Sequence, residues 1–151
     1  MANAQAICTS FKSEILSGIH ALGTTVIRAG TGADTLKAAL YLASSSQGAA
    51  TTAYGVSGEV SGANYTAGGI TVTNATAPTI SGTTGYWTPS ASFSWTNVTL
   101  ATAFDAVLVY NSTQSNKAIS VHTFGSQTIT AGNFSLTMPT NDSTNALLRI
   151  A

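Results

Sequence analysis

Charge is nearly missing from this sequence. Five Lys or Arg and five Asp or Glu make up 7% of its 151 residues, against the ~25% usual in a globular domain. The two signs cancel. A neutral chain with so few cations neutralises few phosphates, so nucleic-acid binding has no electrostatic footprint here. Nor is there a basic patch for an anionic membrane surface. Cysteine is almost as scarce: Cys8 stands alone, which excludes an internal disulfide. No apolar run approaches the ~20 residues of a membrane span. Residues 1–6 lack the basic region and apolar run of a secretory signal, so a product made in the cytoplasm without a signal peptide is expected. Disorder, which needs high net charge and low hydrophobicity, is excluded by a 44% hydrophobic content.

What fills the chain instead is 43 Ser and Thr and 24 Ala. Solubility rests on hydroxyls rather than charge. Near-zero net charge also removes self-repulsion and permits association. At this length a single domain buries roughly 70% of its unfolded surface, enough for a real core.

The pattern divides the chain into a helical segment, 1–23, and a β domain, 24–151. Residues 5–22 read as helix: Ile7, Phe11, Ile15, Ile19 and Leu22 recur at spacings that align them on one face, widened by Leu16. Asn3 is a candidate cap, Gly18 a weak point and Gly23 a natural stop. Such a helix either packs on its own domain or docks on a partner or a second copy.

After Gly23, Thr, Val, Ile and aromatics suit pleated strands, and Gly and Asn suit turns. Residues 36–42 alternate, as do Ile70 and Val72, Phe93 and Trp95, Ile119 and Val121, and Phe134, Leu136 and Met138. Residues 106–110 are apolar on both faces, hence central. Residues 111–116 read as a hairpin loop and 43–51 as a longer loop. A short strand is expected at 54–60, a break around Ile80 between Pro78 and Gly82, and a last strand at 147–150. About eight short strands without intervening helices predict an antiparallel β-sandwich, or a flattened barrel, with an N-terminal α-helix. Residues 60–104 hold no charge at all. Either Ser and Thr serve as the polar face there, or another subunit covers it.

Chemistry is hard to find. His20 and His122 are far apart and read as surface or capping histidines. Cys8, with only Lys12 as a basic neighbour, reads as an inert buried thiol. Ser57, between Val56 and Gly58, lacks the helix that a nucleophile elbow requires. One Cys and two distant His make no zinc site, and the isolated Asp34, Asp105 and Asp142 make no calcium site. Residues 28–33 have the wrong spacing for a phosphate loop. A Lys–Asn crosslink has ingredients in Lys37, Lys117 and Glu59, but no spacing selects them. The expectation is a non-enzyme without cofactor or metal.

The aromatics are more informative. Tyr86, Trp87, Phe93 and Trp95 fall within ten residues. Phe93 and Trp95 alternate toward the core, while adjacent Tyr86 and Trp87 point to opposite faces of a strand. One of that pair is therefore exposed or in an interface, where aromatics concentrate binding energy. Together with the helix face, the expected partner-contact residues are Phe11, Ile15, Ile19, Tyr86 and Trp87.

Several stretches carry a resemblance. They are residues 34–41, 52–54 and 58–69, then 109–112, 116–121, 124–126, 131–134 and 145–151. In this pattern of strands and turns, the chain from about residue 30 onward resembles small virion structural proteins of tailed bacteriophages, of the head decoration or cement type. The resemblance implies a non-enzymatic part of a phage particle, bound to the outer capsid surface and bridging subunits of the major capsid protein. It would act as a dimer or trimer, with neither nucleic acid nor membrane as partner. The alternative is a tail adaptor or a glycan-binding tail-fibre domain. A glycan hydrolase would need paired carboxylates, and none of the five acids is paired in sequence.

Overall fold

The computed structural model describes residues 2–16, 18–20, 22 and 32–151. The expected boundary at 23/24, the stop at Gly23 and most of 28–33 lie outside the described residues. The chain is mainly antiparallel β, as expected. In order it forms β1 (Ala6–Ile7), α1 (Thr9–Leu16), β2 (Leu36–Leu42), β3 (Ile70–Thr71), β4 (Thr79–Ser81), β5 (Thr84–Trp87), β6 (Phe93–Asn111), β7 (Lys117–Leu136) and β8 (Leu148–Ile150). One sheet runs β1-β7-β6-β2-β3 and the other β4-β5-β8. Neither closes on itself, which removes the flattened-barrel alternative.

The helix is shorter than its apolar periodicity predicts. Ala6 and Ile7 leave it to pair with Val121 and Ser120. At the other end Gly18 takes a left-handed φ of 67°. Its N–H bonds Ile15 O at 2.9 Å, and the Ile19 N–H bonds Glu14 O at 3.0 Å. This pair of bonds is a Schellman cap, for which glycine is the favoured residue. Gly18 is thus the stop rather than a weak interior point. Asn3 caps nothing: its amide donates to Leu42 O at 3.1 Å, and its Oδ1 accepts from Ser45 Oγ and the Gln47 N–H.

The strands at 93–95 and 106–110 are one strand of 19 residues, and those at 119–121 and 134–136 are one of 20. They form a hairpin whose turn at 112–116 ends with Ser115 and Asn116 at positive φ. Register shifts along it absorb the residues that read as breaks. Residues 106–110 lie between β2 and β7 and are all buried, as their two-sided apolar pattern requires.

Two expectations fail locally. Residues 54–60 form no named strand, only a bridge from Glu59 to Tyr41, because the turn at 56–58 with Gly58 at φ 78° interrupts them. Ile80 is not in a break but in β4, which turns at Gly82 (φ 59°) into β5. One core joins both sheets and the helix, with Cys8, Phe11, Leu40, Trp87, Phe93, Trp95, Val107, Ile119 and Leu148 all buried.

Candidate functional site

Two features bring the helix and the small sheet together. Phe11 is buried on the inner side of α1, edge-on to the His20 ring at 4.8 Å. Trp87, 1% exposed, is fixed by its indole N–H, which donates to Thr76 O at 2.9 Å. Between them opens an apolar groove of about 310 Å³. Phe11 and Trp87 line it together with Ile15, Tyr86, Ile80 and Ile150, alongside His20, Leu22 and Leu148. Four of the five expected contact residues therefore share one groove. Ile19 does not line it; it is half-buried at the helix cap.

The groove also gathers residues that the sequence reading missed. Ile80 is 77% exposed and Ile150 52%, two of the three exposed large apolar side chains among the described residues. Gly85, opposite Ile80 and beside Ile150 in the small sheet, offers no side chain between them. The signal for Ile80 was present: Gly82-Thr83 between two Thr-rich runs is a two-residue hairpin turn.

The groove wall is held by a polar relay. Glu14 Oε2 meets His20 Nε2 at 2.7 Å, and Glu14 Oε1 accepts from Lys117 Nζ at 2.7 Å. The Asn111 amide lies 3.1 Å from His20 Nδ1 and donates to Asp34 Oδ2 at 2.8 Å. Burial alone would raise the Glu14 carboxyl, but its bonds to Lys117 and His20 hold it below the usual carboxylate range. This relay pins α1 and the chain after it onto the end of the β6–β7 hairpin. His20, its side chain fully buried, is a structural tie rather than a surface residue. Lys117 is committed to Glu14, so it does not present itself for a crosslink.

A second polar cluster, around Glu59, is likewise engaged. Glu59 accepts from the hydroxyls of Tyr54 and Tyr65, both at 2.7 Å, and from the Gly68 N–H at 2.8 Å. Tyr110 donates to Gly68 O and stacks on Tyr54 at 4.6 Å. Burial pushes the Tyr41 and Tyr110 hydroxyls up to about 12. The cluster locks the 54–69 loop against β2. Next in that loop, Gly69 packs so close to Ala38 O that a Cβ would overlap it. Cys8 is buried, and burial together with the Glu14 charge pushes its thiol up to about 11. His122, read as a surface histidine, is half-buried and bonds Ser120 Oγ at 2.9 Å; burial pushes it down to about 4. A polar cavity of about 590 Å³ lies beside it, also lined by Gln5, Thr84, Asn145 and Arg149. Among the described residues no group of His, Cys, Asp or Glu is arranged to hold a metal ion. Among the described residues no helix is long and apolar enough to cross a membrane.

Comparison with known proteins gives no match. No family model, no curated protein and no solved structure is significantly similar to this chain. The groove itself is apolar, holds no Lys, Arg, Asp or Glu in its lining and opens to solvent.

Proposed function

We propose that this chain is a capsid decoration (cement) protein of a tailed bacteriophage. It seats on the outer face of the head, bridges neighbouring major capsid subunits, and grips an uncharged apolar segment of the shell in the groove between α1 and the small sheet. The observation that carries this reading is the groove itself, rimmed by the exposed Ile80 and Ile150. Covering those two side chains contributes about 1–2 kcal/mol each. Buried Phe11 and Trp87 supply a rigid floor that loses little entropy on binding. The uncharged run of 60–104, which includes β4 and β5, supports contact without desolvating any ion. The resemblance to virion structural proteins from about residue 30 onward agrees with it.

The tail-fibre alternative needs exposed aromatic faces for sugar. Trp87, Phe93 and Trp95 are buried and Tyr86 is half-buried, so the aromatic cluster favours a protein contact over a glycan.

The test is particle occupancy. Particles are assembled with wild-type chain or with the Ile80→Asp, Ile150→Asp double variant, and the bound protein is quantified. The variant is expected to keep its circular dichroism and lose at least ten-fold in occupancy. Full occupancy by a folded variant would overturn the groove as the contact.

A further inference from the structure

β7 ends the large sheet over most of its length. β1 covers it only at Ser120 and Val121. Beyond that point no described strand lies on its outer side, and most of residues 125–135 are exposed, the arrangement of a sheet edge free to pair. Natural edges are usually closed by charges, prolines or bulges. Residues 118–141 contain no Lys, Arg, Asp or Glu, and the first proline is Pro139. Bulges do protect the middle: the register shifts repeatedly between Ala106/Thr123 and Trp95/Phe134. The end is regular, with Phe134, Ser135 and Leu136 opposite Trp95, Ser94 and Phe93 in unbroken register.

This end is also unfinished. On the inward face Phe93 and Trp95 of β6 are 1% and 4% exposed. Their cross-strand partners Leu136 and Phe134 are only half-buried, because the sheet stops beside them. On the outward face Ser135 is exposed and its Oγ touches Ser94 Oγ at 3.1 Å. A strand that completes the sheet here must alternate apolar inward and small, uncharged outward.

The identical edge of a second copy meets that description. We propose that residues 134–136 of β7 pair antiparallel with the same residues of a second copy, Ser135 opposite Ser135 and Phe134 opposite Leu136, extending the large sheet across a two-fold axis. A two-fold interface brings each residue near its own copy, so any charge on the edge would face itself. This edge has none. The Phe134 and Leu136 side chains of the two copies would cover each other on the inward face. None of these residues lines the groove, so the inference stands or falls separately from what the groove binds. A short edge pairing is weak in free solution. Copies held side by side on a surface gain from high effective concentration.

The test is sedimentation velocity over a wide concentration range. The native chain should pass reversibly from monomer to dimer as concentration rises. Ser135→Lys and Ser135→Glu, each on the exposed face, should stay monomeric at the same concentrations. Mixing the two variants in equal amounts should restore the dimer, since opposite charges then meet across the axis. In the native protein, amide exchange at residues 134–136 should slow as concentration rises, a readout that needs no variant. A native chain monomeric throughout, a trimer, a dimer indifferent to both charges, failure of the mixture to re-associate, or concentration-independent exchange at 134–136 would each overturn the proposal. The Ile80→Asp variant should dimerise normally.

Discussion

Glu14 and His20 face each other across the Schellman cap of α1, with Oε2 and Nε2 2.7 Å apart. Lys117 of β7 holds the other carboxylate oxygen at 2.7 Å. The sequence places Glu14 and His20 in one segment and Lys117 far along the chain, and the fold makes them one tie between helix and hairpin. Glu14→Ala should therefore destabilise the protein by about 2–3 kcal/mol, because it strands a buried imidazole and frees the Lys117 ammonium. Chemical denaturation at neutral pH checks this. The sign with pH follows from the lowered Glu14 carboxyl. Its contribution is present above the ordinary carboxylate range and is lost as pH falls through its depressed folded value. Glu14→Gln should remove that acid-limb dependence.

His122 acts in a different window. Its folded value of about 4 lies below the unfolded histidine value of 6.5. Between those values the unfolded chain takes up a proton that the native chain refuses. Stability should therefore fall as pH drops from about 6.5 toward 4, by up to about 1.4 kcal/mol per pH unit. His122→Asn should flatten this limb while leaving the Glu14 limb below it intact. Denaturation midpoints measured from pH 7 down to about pH 2 separate the two.

Tyr65 joins two buried partners. Its hydroxyl donates to Glu59 Oε1 at 2.7 Å and accepts from the Leu40 N–H at 3.0 Å. Tyr65→Phe should cost about 1–3 kcal/mol, since it leaves a buried amide and part of a buried carboxylate without a partner. Tyr54→Phe removes one bond to the other oxygen and should cost less. Thermal melts of the two variants give the ranking.

Trp87 and Ile80 both line the groove, yet their substitutions should separate. Trp87→Ala empties a core position and should cost about 3–5 kcal/mol of stability. Ile80→Asp alters a side chain that is mostly in solvent and should stay within about 0.5 kcal/mol of wild type. Comparing the two by denaturation decides which groove residues are safe probes of binding.

Much of the fold was legible in residue spacing. The alternation at 36–42, the two-sided apolar run at 106–110 and the hairpin loop at 111–116 reappear as β2, the C-terminal end of β6, the middle strand of the large sheet, and the β6–β7 turn. Lengths were less legible. Polar residues such as Thr96 and Asn97, between the alternation at 93–95 and the apolar run at 106–110, sit inside β6 because bulges absorb them. The helix was over-read because Ile7 fits the helical face by spacing, whereas it sits in β1 paired with Ser120. Its true stop, Gly18, was visible as a glycine but not as a cap, since a cap is defined by φ. At the groove, the helix face and the Tyr86–Trp87 pair were both legible. That they meet was not, because their juxtaposition depends on where the small sheet packs.

The most direct measurement is the number of copies per particle, by quantitative mass spectrometry of purified virions against the major capsid protein. A decoration protein predicts hundreds of copies in a simple ratio to the capsid subunit. On the order of a dozen copies, matching the cyclic symmetry of a tail, or none in the particle, would contradict the reading.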